Sequence, residues 1–122
     1  MSSFSAKDVL VGLKSKDLKN QIVALSSLSS VEKKIIKQIP KEIIKLMVDL
    51  LANSEKKPLT VSCLTSFAHL ATFEALKFTI GQQGGIGAIF PHTYSNDSNV
   101  QKLSIKTLHE LSSNGKFVKR KN

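Results

Sequence analysis

The chain has 122 residues, 41% of them hydrophobic, enough for one domain whose core needs neither disulfide nor metal. Its lone cysteine, Cys63, excludes an intramolecular disulfide, and no stretch approaches the roughly 20 consecutive apolar residues of a membrane span. Eighteen basic against nine acidic residues give a formal charge of +9, which steers the chain toward an acidic protein surface, nucleic acid or an anionic membrane.

In chain order, Ser5 and Asp8 form a capping-box-like start for a short amphipathic helix carrying Val9, Leu10 and Leu13. The polar run 14–17 is its turn, and a second helix runs from about Asp17 to Ser29. Val31 to Gln38 reads as another short helix, broken at Ile39-Pro40, with Pro40 placed to serve the first turn of the next. Lys41 to Ala52 is apolar around most of its circumference and is expected to be the most buried element. After the polar loop 53–57, Pro58 opens a helix ending near Ala71-Thr72, and Phe73 to Gln83 is helical again. Gly84-Gly85 then redirects the chain. Ile86, Ile89 and Phe90 open a further helix, Ser98 with Gln101 forms a capping box for the last long helix, and Asn114-Gly115 is a strong stop. Phe117 and Val118 in the basic tail read as the start of one more helix. Apolar spacing of three and four, rather than two, argues against strands.

A motif recurs at intervals of roughly 40 residues, a length typical of stacked helical repeats. Its copies are Ile22-Leu25-Leu28, Val61-Leu64-Phe67 and Ile105-Leu108-Leu111. Small residues recur beside them, Ala24, Cys63 and Thr107 before the middle apolar position and Ser29, Ala68 and Ser112 after the last. Each copy therefore reads as the buried helix of one stacking unit, approached closely by its neighbour. Cys63, in the small-residue column, reads as an inert buried thiol.

No catalytic or cofactor constellation emerges. His69, His92 and His109 have no Cys or second His at ligand spacing, so no metal is expected. His69 is expected to pack or cap near its helix end, and His109 to lie on the surface. The glycines at 81, 84, 85 and 87 lack the strand of a dinucleotide fingerprint and the Gly-Lys-Ser/Thr of a P-loop. No serine sits in a nucleophile elbow, and the acidic residues are scattered singly.

The stretch Ile80-Gly81-Gln82-Gln83-Gly84-Gly85-Ile86-Gly87-Ala88-Ile89, followed by Ser95-Asn96-Asp97-Ser98-Asn99-Val100-Gln101 and Leu108-His109-Glu110-Leu111-Ser112, resembles an armadillo repeat, and its leucine pattern fits HEAT repeats too. The resemblance implies an all-α, right-handed solenoid of about three armadillo-like repeats, near 5–42, 43–85 and 86–122, in one domain spanning 1–122. It also implies an interaction scaffold whose third helices line a concave groove. Peptide-gripping members carry Trp and Asn four residues apart on that helix. The matching positions here are Val23 and Ser27, Ser62 and Ser66, Lys106 and Glu110, and none holds either residue. Aligned with Val48, Pro91 falls inside the second helix of the last repeat and should kink or end it, while His92, Thr93 and Tyr94 replace Asp49, Leu50 and Leu51.

The expected function is a non-catalytic protein–protein interaction module, a small scaffold subunit of a larger assembly contacting an acidic surface. A nucleic-acid-binding helical repeat is the alternative. Lys33, Lys34, Lys37, Lys41 and Lys45 recur at three- and four-residue steps, and Lys119 and Arg120 lie in the basic tail. With Lys106, Glu110, His92 and Tyr94 these are the candidate partner-contacting residues. Phe67, Phe73, Phe78 and Phe90 are expected mostly in the core, which disfavours base stacking. One end of the solenoid is expected to dock against a partner or a second copy. The lone thiol, together with a start Met-Ser-Ser-Phe-Ser-Ala that lacks a secretory pattern, points to an intracellular, cytoplasmic or nuclear protein.

Overall fold

The structure, a computed structural model, describes residues 4–113. The expected stop at Asn114-Gly115, the start of a helix at Phe117 and Val118, and Lys119 and Arg120 lie outside the described residues. Within them the protein is all-helical: α1 (Ala6–Lys14), α2 (Leu18–Leu28), a 3-10 helix (Lys33–Gln38), α3 (Lys41–Asn53), α4 (Lys57–Leu70), α5 (Glu74–Gln82), α6 (Gly85–Ile89), a second 3-10 helix (Phe90–Tyr94) and α7 (Ser98–Ser112). No helix among them is long and apolar enough to cross a membrane.

Local chemistry sets most boundaries. Ser5 Oγ accepts from Asp8 N–H at 3.2 Å and caps α1, and Asp17 Oδ1 accepts from Lys19 N–H at 3.1 Å and caps α2. Pro40 is the N-cap of α3, one position before the first helical turn, and Pro58 sits inside the first turn of α4, where its missing N–H costs nothing. Gly84 has φ +90°, a left-handed conformation that a side chain would strain, and the chain reverses there into α6. Pro91 ends α6 after five residues, and the segment continues as the tighter second 3-10 helix. At α7 the cap differs from the sequence expectation. Asp97, not Ser98, is the N-cap, its Oδ1 accepting from Val100 N–H at 3.0 Å, and Gln101 Nε2 donates to Thr93 O at 3.0 Å instead of closing a capping box. An ionised carboxylate is the stronger acceptor at the positive end of a helix.

The helices form two tiers. α2 packs on α4 and α4 on α7; alongside, α1 packs on α3 and α3 on α6, with α1–α2, α3–α4 and α6–α7 joined across. The core runs through the middle of this ladder, with Leu25, Leu28, Ile43, Ile44, Met47, Leu64, Phe67, Leu70, Ile80 and Ile89 fully buried. The most buried helix is α4, with seven buried residues among fourteen, rather than α3, with five among thirteen. It lies between α2 and α7 and under α3, whereas α3 keeps an exposed side with Lys41, Glu42, Lys45 and Asp49.

Small residues set the closest approaches. A Cβ on Gly12 would lie 2.8 Å from Ala24 Cβ, so α1 and α2 meet there at backbone distance. Ser66 Oγ donates to Leu25 O at 2.7 Å across the α2–α4 interface, and His69 Nε2 bonds Val31 O at 2.7 Å beyond it. These two bonds satisfy polar groups where α4 crosses the end of α2.

The register of the middle triplet depends on which end of each helix is counted from. Leu28 and Leu70 are the last residues of α2 and α4, and Leu111 is one residue from the end of α7. Counted back from these ends the triplets are Ile22-Leu25-Leu28, Leu64-Phe67-Leu70 and Ile105-Leu108-Leu111, one helical turn later in α4, whereas the starts of α2 and α4 at Leu18 and Lys57 keep the 39-residue spacing of Ile22 to Val61. Their burial is unequal, since Leu64 is 0% exposed and Ile105 52%. Ile105 thus leaves the buried class expected for it, because no further helix among the described residues lies over that side of α7.

Candidate interaction surfaces

Cys63 is fully buried, and burial pushes its thiol up to about 12, so it stays protonated and unreactive at neutral pH. His69 is held by Val31 O and stacks edge-on against Phe73, with ring centroids 5.2 Å apart. Among the described residues no three His, Cys, Asp or Glu side chains converge as a metal site would require.

The candidate residues fall on separate surfaces. Lys33, Lys34 and Lys37 on the first 3-10 helix and Lys41 and Lys45 on α3 are all exposed. Lys34 lies 3.5 Å from Glu32, and Lys45 4.0 Å from Asp49. Lys33, Lys37 and Lys41 have no carboxylate within ion-pair distance among the described residues. Exposed pairs of this kind contribute about 0.2–1 kcal/mol, so the stripe remains a positive surface.

Lys106 belongs elsewhere. With Lys102, Val61, Asn99 and Leu103 it lines a hollow of about 380 Å³ between α4 and α7, and Glu110 is half-buried one turn further along α7. His92 lines a third place, a polar hollow of about 400 Å³ with Lys57, Ser95 and Asp97. There the Lys57 ammonium bonds Asp97, and this bond, with the one from Val100 N–H, holds the Asp97 carboxyl below its ordinary value against the opposing pull of its partial burial.

The groove positions on the middle helix also shift. The turn-later register puts Thr65, exposed, and His69, bonded to Val31 O, opposite Val23 and Ser27, whereas Ser66 is buried against α2. Neither register supplies a Trp or an Asn.

Apart from Tyr94, already a candidate partner-contacting residue, two surfaces escaped the sequence reading. Phe78 and Tyr94 are 71% and 74% exposed, and Ile86 and Phe90 are about half exposed; only Phe67 and Phe73 of the four expected phenylalanines are withdrawn from solvent. Phe90 and Tyr94 meet edge to face at 5.6 Å, and with Ile86 they make an i, i+4, i+8 stripe along α6 and the second 3-10 helix. Counted back from the end of each segment, rather than in the frame that sets Pro91 on Val48, these positions match Lys45, Asp49 and Asn53 of α3, which are charged or polar. At the opposite end Val11 and Val23 are exposed and line a groove of about 760 Å³ between α1 and α2, with Val9, Gly12, Asn20, Ala24 and Ser27. Among the described residues, all seven exposed large hydrophobics lie on α1, α2 or the segment from α5 onward, and none on the first 3-10 helix, α3 or α4. That distribution was the available signal, but a sequence does not say which helices end a stack.

Comparison with known proteins agrees on the fold alone. No protein-family model and no curated protein matches the sequence. Two engineered proteins with crystal structures from the Northeast Structural Genomics Consortium are similar in structure, each with a TM-score of 0.71 over 93% of this chain, at 22% and 21% identity. The chain spans 50% of the length of one and 30% of the other.

Proposed function

We propose that this chain is a right-handed α-solenoid of about three armadillo-like repeats, acting inside the cell as a non-catalytic scaffold subunit that binds an acidic protein surface. The two-tier ladder supports the solenoid reading, because each helix of a tier packs on the next of the same tier. The observation that carries the choice of partner is the stripe of Lys33, Lys37 and Lys41, three exposed ammonium groups with no carboxylate at ion-pair distance among the described residues. Positive groups so arranged speed encounter with an acidic surface and select against basic ones.

The test is a titration of the full chain with a polyglutamate peptide and with single-stranded and duplex DNA, at low and moderate salt, beside the triple variant Lys33→Glu, Lys37→Glu, Lys41→Glu. Peptide binding that falls at least about tenfold in the variant, a loss of about 1.4 kcal/mol, supports the proposal. Peptide binding indifferent to the variant, or none at low salt, overturns it. DNA binding that survives moderate salt, without peptide binding, selects the nucleic-acid alternative.

A further inference from the structure

The segment from α6 through the second 3-10 helix is apolar where it meets water. Between Glu74 and Asp97 the one formally charged residue is Lys77, whose side chain is 10% exposed, lies 3.8 Å from Glu74 and donates to Ser113 O. Ile86 and Phe90 are about half exposed and Tyr94 is 74% exposed, so a row roughly 15 Å long presents apolar and aromatic groups to solvent. A contiguous row of this kind marks a contact site, where scattered single residues would not.

What lies beside the row points to its occupant. Gly85, Ala88 and Ile89 are buried in the same spacing as Ile44, Met47 and Val48, so α6 turns the same side outward as α3. The two helices pack together, and a Cβ on Gly84 would lie 3.9 Å from Val48 Cγ1. The outward side of α3 carries Lys41, Glu42, Lys45 and Asp49. Its two carboxylates are each met by a lysine, Glu42 by Lys14 at 3.4 Å and Asp49 by Lys45 at 4.0 Å, which leaves Lys41 uncompensated. In the loop after α3 the one carboxylate, Glu55, is followed by the exposed Lys56. Packed helices lie about 8–10 Å apart, so the apolar row borders a surface of net positive charge that leads back to Lys37 and Lys33.

We propose that the acidic partner is an amphipathic segment, whose apolar side chains cover Ile86, Phe90 and Tyr94 while its carboxylates meet Lys41 and the lysines leading to it. This rests on the reading of the lysine stripe given above and narrows it. A uniformly acidic ligand would hold carboxylates against an apolar row, stripped of water with no partner in return. A uniformly apolar one would leave the lysines unmatched.

Titration of the full chain with two peptides carrying the same number of glutamates tests it, one of glutamate alone and one with leucine at every third or fourth position. The variants are Phe90→Ala with Tyr94→Ala, and the lysine triple Lys33→Glu, Lys37→Glu, Lys41→Glu. Tyr94→Ala alone, at a residue 74% exposed, serves if the double variant loses wild-type circular dichroism. The wild type should bind the leucine peptide at least about tenfold more tightly, a preference of about 1.4 kcal/mol. The double variant should abolish that preference, Tyr94→Ala should reduce it, and the lysine triple should weaken both peptides. Equal wild-type binding of the two peptides, or a preference that the aromatic variants leave intact, overturns the proposal while the lysine reading stands. A preference indifferent to the lysine triple overturns it too, because the partner then need not be acidic, and no binding of either peptide overturns both readings. Sedimentation of the free chain and flotation with phosphatidylserine vesicles cover the other occupants. A dimer or vesicle binding that the aromatic variants abolish, without the peptide preference, gives the row to a second copy or a membrane and overturns the proposal.

Discussion

Leu64 and Ile105 occupy the same place in successive helices of one tier, six residues before Leu70 and Leu111, yet one is fully buried and the other half exposed. Truncating each to alanine should separate them sharply. Leu64→Ala removes three carbons, about 2.4 kcal/mol of transfer at ~0.8 kcal/mol per methylene, and the cavity left between α2, α3 and α7 adds about 1 kcal/mol. Ile105→Ala forfeits about half of that transfer, leaves no closed cavity, and gains about 0.4 kcal/mol from the better helix propensity of alanine, for a net cost of about 0.8 kcal/mol. An unfolding entropy of ~2.1 cal/mol/K per residue makes these losses about 13 °C and about 3 °C in Tm for a chain of this size. Urea unfolding at low protein concentration gives the same comparison as midpoints, provided the slope is unchanged. Equal losses for the two variants would refute the open α7 face.

Further outcomes follow from individual contacts. Gly85→Ala would place a Cβ 2.8 Å from Ile80 O, and overpacking of that kind should cost about 1–3 kcal/mol, whereas Gly81→Ala meets nothing within 4 Å inside α5 and should stabilise by about 0.5–1 kcal/mol; thermal melts of the two should move in opposite directions. The Asp97 carboxyl is lowered in the folded state, so its contribution is fully present above the unfolded value of about 4 and is lost as pH falls through the lower folded value. The stability gap between wild type and Asp97→Asn, followed by urea unfolding against pH, should therefore be constant above about pH 5 and close in acid. Cys63 should react with a thiol reagent only as fast as the protein opens, and rapid labelling of the native state would contradict its burial.

Local signals carried the element boundaries well. Ser5, Asp17, Pro58, Gly84 and Pro91 each act where side-chain or backbone chemistry is decided within a few residues, and each does in the structure what its type dictates. The register of the middle triplet was ambiguous for a physical reason. Val61, Leu64, Phe67 and Leu70 recur every three residues, so two frames one turn apart satisfy the same periodicity, and α4, three residues longer than α2, fits either one. The candidate lysines on the first 3-10 helix and α3 were legible as a charged face. Tyr94 was legible as a contact candidate too, but the exposure of Ile105, Phe78 and Phe90 was not, because an apolar residue at helical spacing is buried only if another element covers it, and that depends on the position of its helix in the stack.

Among the described residues no helix covers the outer side of α1 or of α7, and amide hydrogen exchange tests this most directly. Protection should be greatest in α3 and α4, which have neighbours on both sides, and should fall toward α1 and α7, as in a ladder whose end units open first. Exchange from α7 and α4 through one shared opening, with equal protection, would contradict it.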